Sequence, residues 1–383
     1  MKKLKIPVVP SHLLLPFILI TLCFALWGFA NDITNPMVKA FSRILMMSNF
    51  EGSLVQLAFY GGYFAMAFPA ALFIKRVSYK AGIMVGLGLY SFGALLFIPA
   101  SLSMLFWPFL LAYFILTCGL SFLETSANPY ILSMGPQETA TRRLNLSQSF
   151  NPMGSLLGMF TAQQLILARL NPATSAERAA MNPETYRNIT ASDLAIIRHP
   201  YIIIALVILV VLVVIALSKL PANEDQEHDL HFMVTVRRLL KHKRYYEGVI
   251  AQFFYVGAQI MVWTFIIHYA VNELRLTEAQ AQGYNIAAMG IFVLSRFICT
   301  FLLKYISPGK LLMVLAIGGF ITTLGAISLS GMAGLYSLIA ISACMSLMFP
   351  TIYGIALHGL GSDAKIGAAG LIMAILGGSV MPP

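Results

Sequence analysis

Charge is scarce in this 383-residue sequence. Asp, Glu, Lys and Arg together make up 10% of it, against 58% hydrophobic residues and a mean hydropathy of +0.80. Soluble domains carry about 25% charged and roughly 45–50% apolar residues. Soluble enzymes, nucleic-acid binders, disordered chains and collagen-like chains are thereby excluded. The net charge of +10, from 25 basic and 15 acidic residues, would suggest nucleic acid in a soluble protein. In an apolar chain it points instead to basic loops on one side of a membrane. Cysteine is sparse as well. Cys23, Cys118, Cys299 and Cys344 each sit in an apolar stretch, with no metal-site or disulfide spacing. There is no nucleotide-binding P-loop, so ATP does not drive this protein, and neither a metal nor a cofactor is expected. The ten-residue segments of alternating polarity that mark a membrane β-barrel are missing too. No small-residue cleavage site precedes Trp27, so the apolar run behind Met1-Lys2-Lys3-Leu4-Lys5 reads as a first membrane span and not as a signal peptide.

What is present is a series of apolar runs of the roughly 20 residues a transmembrane helix needs. They fall near 13–34, 52–74, 82–100, 104–126, 146–168, 200–218, 247–271, 283–303, 311–329 and 333–357, and an eleventh begins near Gly367 and stops at Pro383. The expected fold class is an all-α integral membrane protein. Of the loop residues, Lys39, Arg43, Arg169, Arg178, Arg187, Arg198 and Arg275 fall on one side, and every other basic residue except Arg296 falls on the side of the N-terminus. That bias places the N-terminus in the cytoplasm. The segment 169–199, which also carries Glu177, Glu184 and Asp193, reads as a long polar outer loop.

Two halves are visible. After six spans comes a charged stretch, Asn223-Glu224-Asp225-Gln226-Glu227 and then Arg237-Arg238 and Lys241-His242-Lys243-Arg244. It reads as a cytoplasmic linker with room for an amphipathic helix on the membrane surface. Lys75-x-Val77-Ser78 after the second span is echoed by Lys304-x-Ile306-Ser307 after the eighth. Six spans, a linker and an echo favour the parallel repeats of major facilitator transporters. The expected organisation is a six-span bundle over 1–218, a linker over 219–244 and a second bundle over 245–383. A two-fold repeat would have six plus six spans, so the second bundle is expected to be truncated, with its twelfth span missing.

A charge at the bilayer centre costs about 2.5–3.5 kcal/mol on insertion scales, so such residues usually face a cavity. Three lie inside spans: Asp32, Glu124 and Arg296. Two cavity carboxylates in one half are what a proton-coupled carrier requires. Asp32 falls late in its span and could instead cap the outer end. Arg296 is expected at the central cavity or between the halves, not in lipid. Amides also lie in apolar spans: Asn31, Asn35, Asn128, Gln148, Asn151, Gln252 and Gln259. Each offers both donor and acceptor, as sugar hydroxyls require; any single one could equally join helix to helix. Trp263, Tyr255 and Tyr353 could stack on the apolar face of a pyranose, or simply pack. Pro36, Pro129, Pro152 and Pro350 fall close to these polar positions, where freed carbonyls can face a cavity. His268 and His358 sit by span ends and read as interfacial.

Several runs are distinctive: Ala30-Asn31-Asp32-Ile33, Phe122-Leu123-Glu124-Thr125-Ser126-Ala127-Asn128-Pro129, Arg143-Leu144-Asn145-Leu146-Ser147-Gln148-Ser149-Phe150-Asn151 and Ala251-Gln252-Phe253-Phe254-Tyr255-Val256-Gly257-Ala258-Gln259. With Val77–Gly82 and Pro350-Thr351-Ile352, they resemble the fucose–galactose–hexose proton symporters of the major facilitator superfamily along essentially the whole chain. The resemblance implies two pseudo-symmetric six-helix bundles and alternating access. It also implies proton-coupled uptake of a monosaccharide, L-fucose first, by a monomer in the bacterial inner membrane, surrounded by lipid and with no nucleic-acid partner. It makes Glu124 the carboxylate tied to substrate and proton, and Gln148 and Asn151 sugar-cavity amides. Two positions depart from a fucose-transporting member: Asn35 stands where that member has its span-1 aspartate, and Phe349 where it has a tyrosine. Asp32, three residues before Asn35, shares its helix face and is the expected substitute. Glucose, galactose or N-acetylglucosamine as substrate, an uncoupled facilitator and a membrane sugar sensor remain open alternatives.

Overall fold

The computed structural model describes residues 6–220 and 232–381, and among these there is no strand. Lys2, Lys3, Lys5 and the acidic run 223–227 lie outside the described residues. Among the described residues, ten helical stretches are long and apolar enough to cross a membrane.

In chain order the helices are α1 (Leu14–Ile44), α2 (Asn49–Arg76), α3 (Tyr79–Leu95), α4 (Phe97–Ser103), α5 (Phe106–Ser133), α6 (Ala140–Gln148), α7 (Asn151–Phe160), α8 (Ser175–Ala179), α9 (Pro183–Leu217), α10 (Phe232–Lys241), α11 (Lys243–Asn272), α12 (Glu278–Leu302), α13 (Pro308–Ser328), α14 (Met332–Met345), α15 (Met348–Leu357), α16 (Ala364–Met373) and α17 (Gly377–Val380). Their starts follow from local chemistry. Ser48 with Glu51, Thr174 with Glu177 and Thr277 with Gln280 form reciprocal capping boxes that satisfy otherwise orphaned backbone donors.

Three expectations need correction. The run 146–168 is not one helix. It is α6, a two-residue turn at Ser149 and Phe150, α7, a π-helical stretch over Thr161–Ile166 and a 3-10 turn over Leu167–Arg169. Pro152, lacking an N–H, cannot continue the α6 ladder. The run 333–357 is a span, Met332–Leu357, but not one unbroken helix: it turns at 346–347, between α14 and α15, just ahead of Pro350. Third, the segment 169–199 is not a loop throughout. It contains α8, and α9 begins at Pro183, with Asn182 accepting from the Thr185 N–H at 2.7 Å as its cap. What makes this polar stretch fold is a buried ion pair: Arg178 reaches Asp193, which also accepts from the Asn171 N–H, and both side chains are essentially inaccessible.

The described residues divide into two compact units. One holds Ile18–Ala127 and Met153–Glu224, the other Met1–Phe17, Asn128–Pro152 and Asp225–Pro383.

In the first unit α3 packs on α5 backbone to backbone. A side chain at Gly119 would meet the Tyr90 nitrogen and the Gly86 carbonyl, and one at Gly93 would meet Leu116. Small residues let apolar helices approach this closely. Near one end Phe97 stacks on Tyr201 at 3.8 Å, and the Tyr113 and Tyr201 hydroxyls lie 2.9 Å apart. At the other, Lys80 donates to the carbonyls of Ala216 and Ser218, both at 2.8 Å, a favourable place for a cation beside a helix C-terminus.

In the second unit α13 packs on α14, α12 on α14, and α11 on α12 and α15. Segment 128–152 joins it through α6, which lies against α15. There Asn145 donates to the Thr351 hydroxyl at 3.2 Å, and Gly354 leaves room for Thr141. Arg143, fully buried, gathers the carbonyls of Ile131 at 2.7 Å, Leu132 at 2.6 Å and Val8 at 3.0 Å. It thereby satisfies the last turn of α5. α10 meets α11 through the single residue His242 and is pinned by Arg238, whose guanidinium forks onto both carboxylate oxygens of Asp363.

Candidate functional site

The two carboxylates expected inside spans both belong to the first unit. Glu124, on α5, is 1% exposed. It faces the Tyr63 hydroxyl of α2, and Tyr63 in turn faces the Trp27 indole of α1. None of these contacts closes into a hydrogen bond: Glu124 Oε2, the Tyr63 hydroxyl and Trp27 Nε1 are all buried without a partner. Among the described residues, the ion pairs are Arg178–Asp193, Arg238–Asp363 and Lys243–Glu247, so no cation answers Glu124. Burying polar groups unpaired costs free energy. A carboxyl oxygen and two neighbouring groups left this way describe a place built to receive something hydroxylated, or a proton.

Asp32 is half-buried on α1, which stays helical through Pro36. It faces Ser155 of α7, whose hydroxyl also donates to the Gly28 carbonyl at 3.3 Å. Tyr60 of α2 lies within electrostatic reach of Asp32, and of Tyr63 one turn on. Two tyrosines a turn apart on α2 are therefore each within electrostatic reach of one of the two acids. Asn31 is half-buried, its Oδ1 without a partner. The side chains of Asn35, Pro36 and Lys39 lie outside the described residues.

The remaining expected site residues belong to the second unit. Asn128 accepts from Gln148 Nε2 at 2.8 Å, and its own Nδ2 is left unpartnered. Asn151 is half-buried at the start of α7. Gln252 of α11 is fully buried, and neither atom of its amide has a partner. One face further along α11, Gln259 and Trp263 are half-buried. Trp263 packs edge-on against Phe292 at 5.4 Å and leaves its Nε1 buried and unpaired. Phe349 lies 6.4 Å from both Tyr255 and Tyr353, and the Tyr255 hydroxyl donates to the Met345 carbonyl at 3.0 Å. His268 and His358 are exposed.

Arg296 of α12 is 3% exposed. Its Nε donates to the Ser346 carbonyl, its NH1 donates to the Gln148 carbonyl at 2.9 Å, and the guanidinium carbon lies 4.6 Å from the Phe292 ring centre.

Sequence reasoning missed Trp27, Tyr63, Ser155 and Asn285, whose Oδ1 is also buried without a partner. An aromatic or a serine in an apolar run carries no mark that separates it from ordinary packing. Asn285 had the same signal as the other amides, but it lies near the polar start of α12.

Similarity to known proteins identifies the family. The chain is 53% identical over 382 residues to an L-fucose-proton symporter of Haemophilus influenzae, covering 98% of this chain and 89% of that one. It is 32% identical over 366 residues to a glucose/galactose transporter of Brucella abortus, covering 95% and 85%. In structure it is similar to FucP, the Escherichia coli fucose:proton symporter, crystallised in the outward conformation. The TM-score is 0.90 at 36% identity, covering 96% of this chain and 90% of that one. Residues 20–382 match the family model of the Major Facilitator Superfamily. With its apolar helices, no strand among the described residues and span-buried acids and amides, the chain belongs to the Major Facilitator Superfamily, a family of membrane transporters and not of enzymes.

Proposed function

We propose that this protein imports L-fucose together with a proton across the bacterial inner membrane by alternating access. The observation that carries the proposal is Glu124: a carboxyl buried with no cation, among the unpaired Tyr63 hydroxyl and Trp27 indole. A carboxyl in such a place is stable when it holds a proton or a sugar hydroxyl. That requirement couples the two cargoes without any covalent chemistry.

In this proposal Glu124 and Asp32 carry the proton. The amides Asn31, Asn35, Asn128, Gln148, Asn151, Gln252 and Gln259 read the sugar hydroxyls, and Trp263 packs against the ring. The bundles 1–218 and 245–383 rock about the site, joined by the linker 219–244. The basic loops put the N-terminus in the cytoplasm. The protein works as a monomer in lipid. In this reading the contacts of α6 with α15, together with Arg296 on Gln148, part when the path opens to the cytoplasm.

Uptake into proteoliposomes tests this. L-Fucose should accumulate above its outside concentration only with an inward proton gradient. Equilibration without accumulation would mean a facilitator, and binding without movement a sensor. Phe349, with no hydroxyl to offer the sugar, and the likeness to a glucose/galactose transporter favour a second reading in which galactose or glucose is the better cargo. Competition by those sugars against labelled L-fucose decides between them.

A further inference from the structure

Arg296 makes an unusual pair of bonds. In an unbroken α-helix the Gln148 carbonyl would accept from the N–H of residue 152, and the Ser346 carbonyl from that of residue 350. Both positions are proline, Pro152 and Pro350, so neither carbonyl can have its helical partner. Arg296 donates to both of them, Nε to Ser346 and NH1 to Gln148. A single guanidinium thus replaces two missing backbone donors on two different helices. It does so without an ion pair, since none of those among the described residues involves it. Tyr255 is within electrostatic reach, and the Phe292 ring lies under the guanidinium. Only a rigid fork can reach both acceptors; a lysine ammonium is a point donor.

The Gln148 side chain is itself held, its Nε2 donating to Asn128. Gln148 is therefore fixed at both ends, backbone by Arg296 and side chain by Asn128, with the Asn128 Nδ2 left unpaired beside it.

We infer that Arg296 is a positioning residue of the transport site, a releasable clasp that sets Gln148 through a carbonyl freed by Pro152 while staying anchored on the carbonyl freed by Pro350. This rests on the alternating-access proposal above. Gln148 lies in the first half of the chain, Arg296 and Ser346 in the second. When the halves part at this end, Arg296 gives up Gln148 and keeps Ser346, so it is never left wholly unpaired. The two prolines make the exchange possible, because a helix that satisfied its own carbonyls would offer Arg296 nothing to hold.

Equilibrium binding of L-fucose and counterflow exchange test this in full-length protein. Arg296→Lys should weaken binding roughly tenfold, the usual scale for losing a hydrogen bond from a charged donor. The half-saturating sugar concentration in counterflow should rise while the maximal rate does not fall. Pro152→Ala restores an N–H that captures the Gln148 carbonyl, and it should weaken binding in the same way. Because both act on one bond, the double variant should be no worse than the worse single one. Unchanged affinity in either single variant, losses that multiply in the double, or a lowered maximal rate at unchanged half-saturation would overturn the inference. Should Arg296→Lys not fold, Pro152→Ala carries the test alone, with weakened binding at an unchanged maximal rate supporting it and wild-type affinity overturning it. A wild-type protein that ignores L-fucose but binds another hexose defeats the proposed substrate, not the clasp, and the series is then run with that hexose.

Discussion

Gly154 lies directly against the backbone carbonyl of Ala25, and a Cβ built on it would fall inside that carbonyl. One turn on, a Cβ on Gly158 would strike the Phe29 carbonyl oxygen at 2.6 Å. The run Gly154-Ser155-Leu156-Leu157-Gly158 therefore brings α7 to backbone distance from α1, as small residues four apart do in membranes. Ser155, between them, is carried to the Gly28 carbonyl and to Asp32 by that approach.

Gly154→Leu should therefore drive α7 away from α1 and part Ser155 from Asp32. Overpacking of this kind costs about 1–3 kcal/mol. The expected result is a lowered thermal midpoint in detergent and lost proton-driven uptake. Wild-type uptake would mean that the spacing of α1 and α7 does not matter to coupling.

Asp32→Asn should abolish driven uptake and leave counterflow, which needs no proton gradient, largely intact. Ser155→Ala, which removes the hydroxyl facing the carboxyl, should shift the pH dependence of uptake without abolishing it. If driven uptake by Asp32→Asn is unchanged, Asp32 is a structural cap on α1 and Glu124 alone couples.

For Glu124→Gln, shape and burial are kept while the titratable group is lost. Accumulation against a gradient should vanish, and the thermal midpoint should hold or rise, because an amide can donate to Tyr63 where a bare carboxylate could only accept. Normal accumulation by this variant in proteoliposomes would remove Glu124 from the coupling mechanism.

The Arg178–Asp193 pair makes a prediction about stability, independent of transport. Replacing either partner strands the other in a dry environment, at a cost of about 3–5 kcal/mol. Arg178→Met and Asp193→Leu together should recover most of what either alone loses. Thermal unfolding of the two single variants and the double measures this; a single variant as stable as wild type would show that the pair contributes little.

The apolar runs announced most of the spans, because hydrophobicity over about 20 residues is a signal that no local packing can mask. The acids and amides within those runs were legible for the same reason: each costs free energy in lipid, so it must face something else. What escaped was set by contacts between distant segments. Nothing near Tyr63 or Trp27 in the chain says that they meet Glu124. The helical course of 183–199 was hidden under polar composition, although Asn182-Pro183 with Glu184 is a good helix start. The breaks at 149–150 and 346–347 fall beside prolines that were noted for their place near polar residues. That their freed carbonyls share one guanidinium requires the three-dimensional structure.

The backbone contact between Gly86 and Gly119 and the bareness of α13 are opposite conditions. At Gly119 any side chain would strike the Tyr90 nitrogen, so only one amino acid is admissible there, whatever the lineage. On α13, Leu311 is the buried residue, and Met313, Val314, Ile317, Phe320, Ile321, Leu324 and Ile327 are exposed; there, any apolar side chain of the right length meets the same requirement. Drift among descendants of this sequence should therefore be steeply uneven, rapid and nearly neutral along α13 and arrested where α3 crosses α5. Two copies that differ at many positions of α13 would be the same machine, whereas a single change at Gly119 would make a different one.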